Sequence, residues 1–64
     1  MRKRWYLVAG IGKYHRPNRS VYGNTTNKQI AFKRAREYAK KYNRPVGVFE
    51  FYEDTYKGMI KGFY

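Results

Sequence analysis

The side chains of this sequence best equipped to act on a partner are its cations. Its 64 residues hold fifteen Lys and Arg against four Asp and Glu, a formal charge of +11 at pH 7. A domain this small cannot bury so many like charges, which repel one another and favour a compensating polyanion. Nucleic acid is the most economical such partner, because each neutralised phosphate releases a condensed counterion. Membrane-surface proteins and inhibitors of acidic proteins share the same balance, so composition alone leaves the partner open.

The charge is unevenly divided. Residues 1–44 carry thirteen Lys/Arg and one Glu, whereas residues 45–64 carry two Lys and three acids. Two basic groups stand out. Lys13, His15, Arg16 and Arg19 fall in a loop with no acid nearby, where Arg and Lys can reach phosphates. Lys33, Arg34, Arg36, Lys40 and Lys41 fall on one side of a helix, offset only by Glu37. Arg36 and Lys40, like Lys33 and Arg36, are like charges at helical-neighbour spacing, which mildly destabilises an isolated helix. The plain alternative for each group is a solvated surface with no partner.

Catalysis and metal binding find little support. His15 is the one histidine and cysteine is absent, so neither a thiolate metal site nor a disulfide is available. Glu50, Glu53 and Asp54 do not have the spacing of a cation-binding loop and read as an acidic bend. Gly10-Ile11-Gly12-Lys13 lacks the spacing of a phosphate-binding loop and the helix that should follow it. No nucleophile–base pair is visible. A non-enzymatic protein without cofactor or metal is therefore expected.

The elements that must position these groups follow from periodicity. Arg4 to Ile11 reads as a strand, with Trp5, Leu7, Ala9 and Ile11 on one face and Tyr6, Val8 and Gly10 on the other. Both faces are fairly apolar, so the strand belongs inside its sheet. Lys13 to Arg19 is a loop with turn chemistry at Pro17-Asn18, and Ser20 to Gly23 is a short returning strand. Thr26-Asn27-Lys28-Gln29 fits a capping box that opens a helix running to Tyr42. Asn43 suits the C-cap, and Arg44-Pro45 disfavours continuation. Ala31, Phe32, Ala35, Tyr38, Ala39 and Tyr42 form the apolar stripe. Pro45 to Tyr52 and Met59 to Tyr64 are strands joined by a connection over 53–58.

The expected fold is α+β, a single domain in the order β-β-α-β-β, with one helix on one face of a mostly antiparallel sheet. Phe49 and Phe51 are expected towards the helix, where their bulk would meet its alanines and leave Glu50 in water. The opposite face would then present Tyr6, Val8, Val46, Val48, Tyr52, Met59 and Phe63. Such an apolar face serves as a homodimer or partner-protein interface, as a base-stacking surface, or as core covered by the chain's own ends.

The sequence resembles small β-hairpin–helix–strand proteins of bacteria and phages. It does so through Trp5-x-Leu7, Thr26 before the helix, Ala35-Arg36-Glu37-x-Ala39-Lys40, Val46-x-Val48 and Gly58-x-Ile60. Residues 1–44 also resemble the arm-type DNA-binding domains of tyrosine recombinases. There a tryptophan-bearing strand, a basic hairpin, a second strand and a threonine-capped, alanine-rich helix follow in this order. That resemblance implies DNA contacts from the sheet and places Arg4, Tyr6, Lys13 and Arg19 near DNA. The sequence departs from it in lacking a third strand before the helix and in adding a hairpin after it.

These readings converge on a small nucleic-acid-binding protein of phage or bacterial type, with mainly phosphate contacts. Its expected binding residues are Arg4, Tyr6, Lys13, Arg16, Arg19, Lys33, Arg34, Arg36, Lys40 and Lys41, and its ligand is DNA or RNA. The alternative is a phage-type inhibitor or adaptor that seizes an acidic host or defence protein through the apolar face. The apolar run from Trp5 to Ala9 is too short for a signal core, and no run approaches the ~20 residues of a membrane span. A cytoplasmic location, with no membrane partner, is expected.

Overall fold

Two stretches rich in aromatic and β-branched residues pair antiparallel at the centre of the molecule, with Tyr6 opposite Glu50, Leu7 opposite Phe49 and Val8 opposite Val48. The computed structural model describes residues 3–64. The elements are β1 (Arg4–Ile11), β2 (Pro17–Thr25), α1 (Lys28–Tyr42), β3 (Val46–Tyr52) and β4 (Thr55–Phe63). They form one antiparallel sheet in the order β2-β1-β3-β4, with α1 packed on one face. This is the expected α+β architecture, and β1 is internal as its two apolar faces require. No helix among the described residues is long and apolar enough to cross a membrane.

The outer strands are longer than expected. β4 begins at Thr55 rather than Met59, because β3 and β4 are joined by Glu53-Asp54 alone, with Glu53 left-handed at φ 54°. Gly58 lies inside the strand beside a bulge, at φ 119°, a backbone angle that suits glycine. β2 likewise begins at Pro17 rather than Ser20. Its register shifts next to Gly23, and Tyr22 there packs on the helix.

The helix starts one residue later than the capping box implied. Asn27, not Thr26, is the N-cap, its Oδ1 accepting from the Ile30 N–H at 3.1 Å. Thr25 Oγ1 accepts from the Asn27 N–H at 3.1 Å, so hydroxyl and amide serve successive backbone donors. At the other end Asn43 is left-handed (φ 53°) and its N–H reaches the Ala39 carbonyl, the C-cap that the sequence indicates.

Which face α1 covers is the main correction. Ala31 and Ala35 are fully buried against Tyr6, Val8, Val46 and Val48, with Tyr22, Phe32, Tyr38, Ala39, Ile60 and Phe63 around them. Tyr6, Val8, Val46 and Val48, expected on an open partner or dimer face, are therefore core, and Phe63 packs on that core. The short alanines let the helix approach the β-branched residues directly, so bulk is supplied from the rim of the interface. Glu50 is tolerated on this side because Arg4 Nε lies 3.4 Å from its Oε2. Tyr52, also on this side, lies under the Arg4 guanidinium, 6.0 Å from the ring centroid. Met59 instead sits opposite Phe49 on the far face.

Three substitutions test the helix cap and this packing. Asn27→Ala is expected to cost about 1 kcal/mol in urea unfolding, whereas Thr26→Ala stays within ~0.5 kcal/mol. Ala35→Leu, which overfills the closest helix–sheet contact, is expected to cost about 1–3 kcal/mol.

Candidate nucleic-acid interface

The buried alanines fix the orientation of α1 and so dictate what faces water. Lys33, Arg34, Arg36, Lys40 and Lys41 are all exposed along its outer side. Glu37 is the acid among them, and none of the five lies within ion-pair distance of it among the described residues. Shallow grooves run along this side, one lined by Ile30, Lys33, Arg34, Glu37, Tyr38 and Lys41. Beside it Tyr22, Tyr38 and Tyr42 form a three-ring cluster with near-parallel planes, the centroids 4.8, 5.6 and 6.0 Å apart, that ties β2 to the second half of the helix. Lys41 Nζ lies 5.3 Å from the Tyr42 ring centroid, so cation and aromatic surface adjoin.

The far face of the sheet is a second apolar layer. Trp5 stacks on Phe51 at 4.4 Å, and its indole N–H donates to the Glu53 carbonyl at 2.7 Å. Phe51 and Phe49 each tilt against Tyr56. A Cβ on Gly47 would come within 3.0 Å of Ile11 and Met59 and 3.1 Å of Phe49, so the absence of a side chain there lets the three converge. Phe49 is fully buried on this side, while Trp5, Leu7, Phe51 and Met59 remain partly exposed.

The β1–β2 connection is fastened to this layer. Tyr56 Oη donates to the His15 carbonyl at 3.0 Å, and the Arg16 guanidinium lies 5.9 Å from the Tyr56 ring centroid. Gly12 N–H donates to the Arg16 carbonyl at 2.7 Å and Arg16 N–H to the Lys13 carbonyl at 3.2 Å, closing a tight turn. Burial pushes the Tyr56 hydroxyl above its ordinary pKa, and the nearby Arg16 charge opposes that shift.

The residues expected to contact nucleic acid thus divide. The five helix cations form one surface. Lys13, Arg16 and Arg19 are exposed at or just after the β1–β2 turn, with Arg16 lying over the far face. Arg4 is exposed but already paired with Glu50. Tyr6, only 8% exposed beneath the helix, cannot present its ring to a base and is removed from the set. Tyr14, outside that set, stands exposed in the turn between Lys13 and Arg16. No family model matches this chain, and no curated protein or solved structure matches it either.

Tyr56→Phe is expected to destabilise the protein by about 0.5–1.5 kcal/mol near neutral pH, through loss of the bond to His15. The raised pKa means that the folded state holds the phenolic proton more tightly than the unfolded chain. Its stabilising contribution is therefore full below about pH 10 and is lost as pH rises through the folded value. The difference between wild type and Tyr56→Phe should shrink accordingly in urea titrations carried to alkaline pH.

Proposed function

We propose that this protein is a non-enzymatic nucleic-acid-binding protein whose α1 outer face contacts the phosphate backbone. The observation that carries the reading is the group of five exposed helix cations against one carboxylate, Glu37, that has no ion pair among the described residues. Like charges at helical-neighbour spacing oppose helix formation, and phosphates interleaved among them would relieve that repulsion. Contacts of this kind position a ligand without reading its bases, so sequence selectivity is weak.

A second reading, a protein-binding inhibitor or adaptor, draws on the partly exposed Trp5, Leu7, Phe51 and Met59 of the far face. There the cations would steer the protein to an acidic surface rather than supply the affinity. A specific protein retained in a lysate pull-down after nuclease treatment, together with absent nucleic-acid binding, would favour it.

Fluorescence anisotropy with a labelled duplex and a labelled single strand tests the leading reading. Binding is expected at ~50 mM salt, with log affinity falling against log salt by about 0.9 per duplex phosphate contacted. The Lys33→Gln/Arg36→Gln/Lys40→Gln triple variant should flatten the duplex slope by up to about 2.7. Absence of wild-type binding to both probes at ~50 mM salt would sink the proposal.

A further inference from the structure

We infer that Tyr14 is a stacking platform for an unpaired nucleobase, so that the β1–β2 turn is a single-strand-binding element. This deepens the nucleic-acid reading and rests on it.

Tyr14 is 91% exposed, more than any other large apolar or aromatic side chain described. No ring or cation contact engages it among the described residues, so both of its faces are open. An apolar layer that would have sheltered it lies close by, since its neighbour His15 is bonded to Tyr56. The backbone holds the ring out instead. Tyr14 (φ 58°, ψ 31°) and His15 (φ 55°) are consecutive left-handed residues, and neither is glycine. Side chains with a Cβ resist that conformation. It persists here because the Gly12–Arg16 and Arg16–Lys13 backbone bonds close the turn and the Tyr56 hydroxyl grips the His15 carbonyl. A costly backbone that exposes an aromatic ring points to a ligand for that ring.

The surroundings specify the ligand. Lys13 and Arg16 flank Tyr14 and are exposed, and no acid lies within the turn. An aromatic face with cations on either side is the arrangement that holds single strands, the base stacking on the ring and the phosphates lying against the charges. Bases in a duplex are already stacked on both sides, so a lone protruding ring gains little from them. Arg16, lying over the Tyr56 ring, is partly ordered in advance of binding.

The test uses the full chain and two labelled probes in anisotropy titrations: a 15-nucleotide oligothymidylate and a 15-base-pair duplex. Tyr14→Ala should weaken oligothymidylate binding roughly 5- to 150-fold, leave duplex binding within about twofold, and leave the thermal midpoint nearly unchanged. Tyr14→Asn, which tolerates the left-handed backbone but lacks the ring, should lose as much. Tyr14→Phe and Tyr14→Trp should retain binding, because stacking needs the ring and not the hydroxyl. Unchanged single-strand affinity in Tyr14→Ala and Tyr14→Asn, equal losses on both probes, or wild-type binding to the duplex alone would each overturn the inference while leaving the nucleic-acid reading intact. Failure of the wild type to bind either probe would overturn both.

Discussion

The seating of Ala31 and Ala35 on the central strand pair is the contact from which the remaining arrangement follows. Both alanines are fully buried, as are Val46 and Val48 beneath them, and Val8 is all but so. Methyl side chains at successive turns of one stripe bring the helix backbone close to the sheet, where Val8, Val46, Val48 and Tyr6 form the layer beneath them. Valines meet the alanines, and the larger groups fill the margins: Phe32, Tyr38, Tyr22, Ile60 and Phe63. A chain of this length has one chance to build such a contact, since it buries only ~60% of the surface that its unfolded form exposes.

Because strand residues alternate between faces, assigning Val46 and Val48 to the helix commits Gly47, Phe49 and Phe51 to the other side. A sheet with large rings on its second face would ordinarily leave them wet. Here the chain covers part of that face itself, through the Tyr56–His15 bond, the Trp5–Phe51 stack and the convergence of side chains over Gly47. The cover is partial, since Phe49 is fully buried while Phe51 and Trp5 are not. The basic turn is thus fastened to the second layer, through the Tyr56–His15 bond and the Arg16–Tyr56 contact, while its own side chains stay exposed.

Much of this was legible in the sequence. Element order, the internal placement of β1, the helix end at Asn43 and the apolar stripe apart from the exposed Tyr42 all follow from periodicity and capping chemistry. The choice of sheet face did not, because β1 and β3 are apolar on both sides and the pattern is nearly symmetric. Two cues point to the wrong face: the bulk of Phe49 and Phe51 matches the helix alanines, and Glu50 reads as solvent-facing until Arg4, 46 positions earlier in the chain, is found beside it. The early start of β4 was hidden because Gly58 reads as a loop residue, whereas a bulge accommodates its positive φ within a strand. Thr26 and Asn27 are both competent caps, and the Thr25 hydroxyl, by binding the Asn27 N–H, accompanies the later of the two. Of the candidate site, the helix cations were legible because the apolar stripe fixes the outward side. Tyr14 was not, because exposure of an aromatic in a turn depends on backbone angles that sequence spacing does not encode.

On the nucleic-acid reading, the two basic regions also constrain the shape of the ligand. The helix cations face outward from one side of the sheet, while Arg16 lies over Tyr56 on the other. The molecule is 16 Å across its shortest extent and 37 Å along its longest. Duplex DNA has a persistence length of about 50 nm and runs essentially straight over such a distance. It therefore meets the helix face or the turn, but not both at once. A single strand, whose backbone bends freely between unstacked bases, can reach from one surface to the other. Phosphate contacts on α1 would then supply salt-dependent affinity common to both forms, and the turn would add a contact that only the flexible form can use.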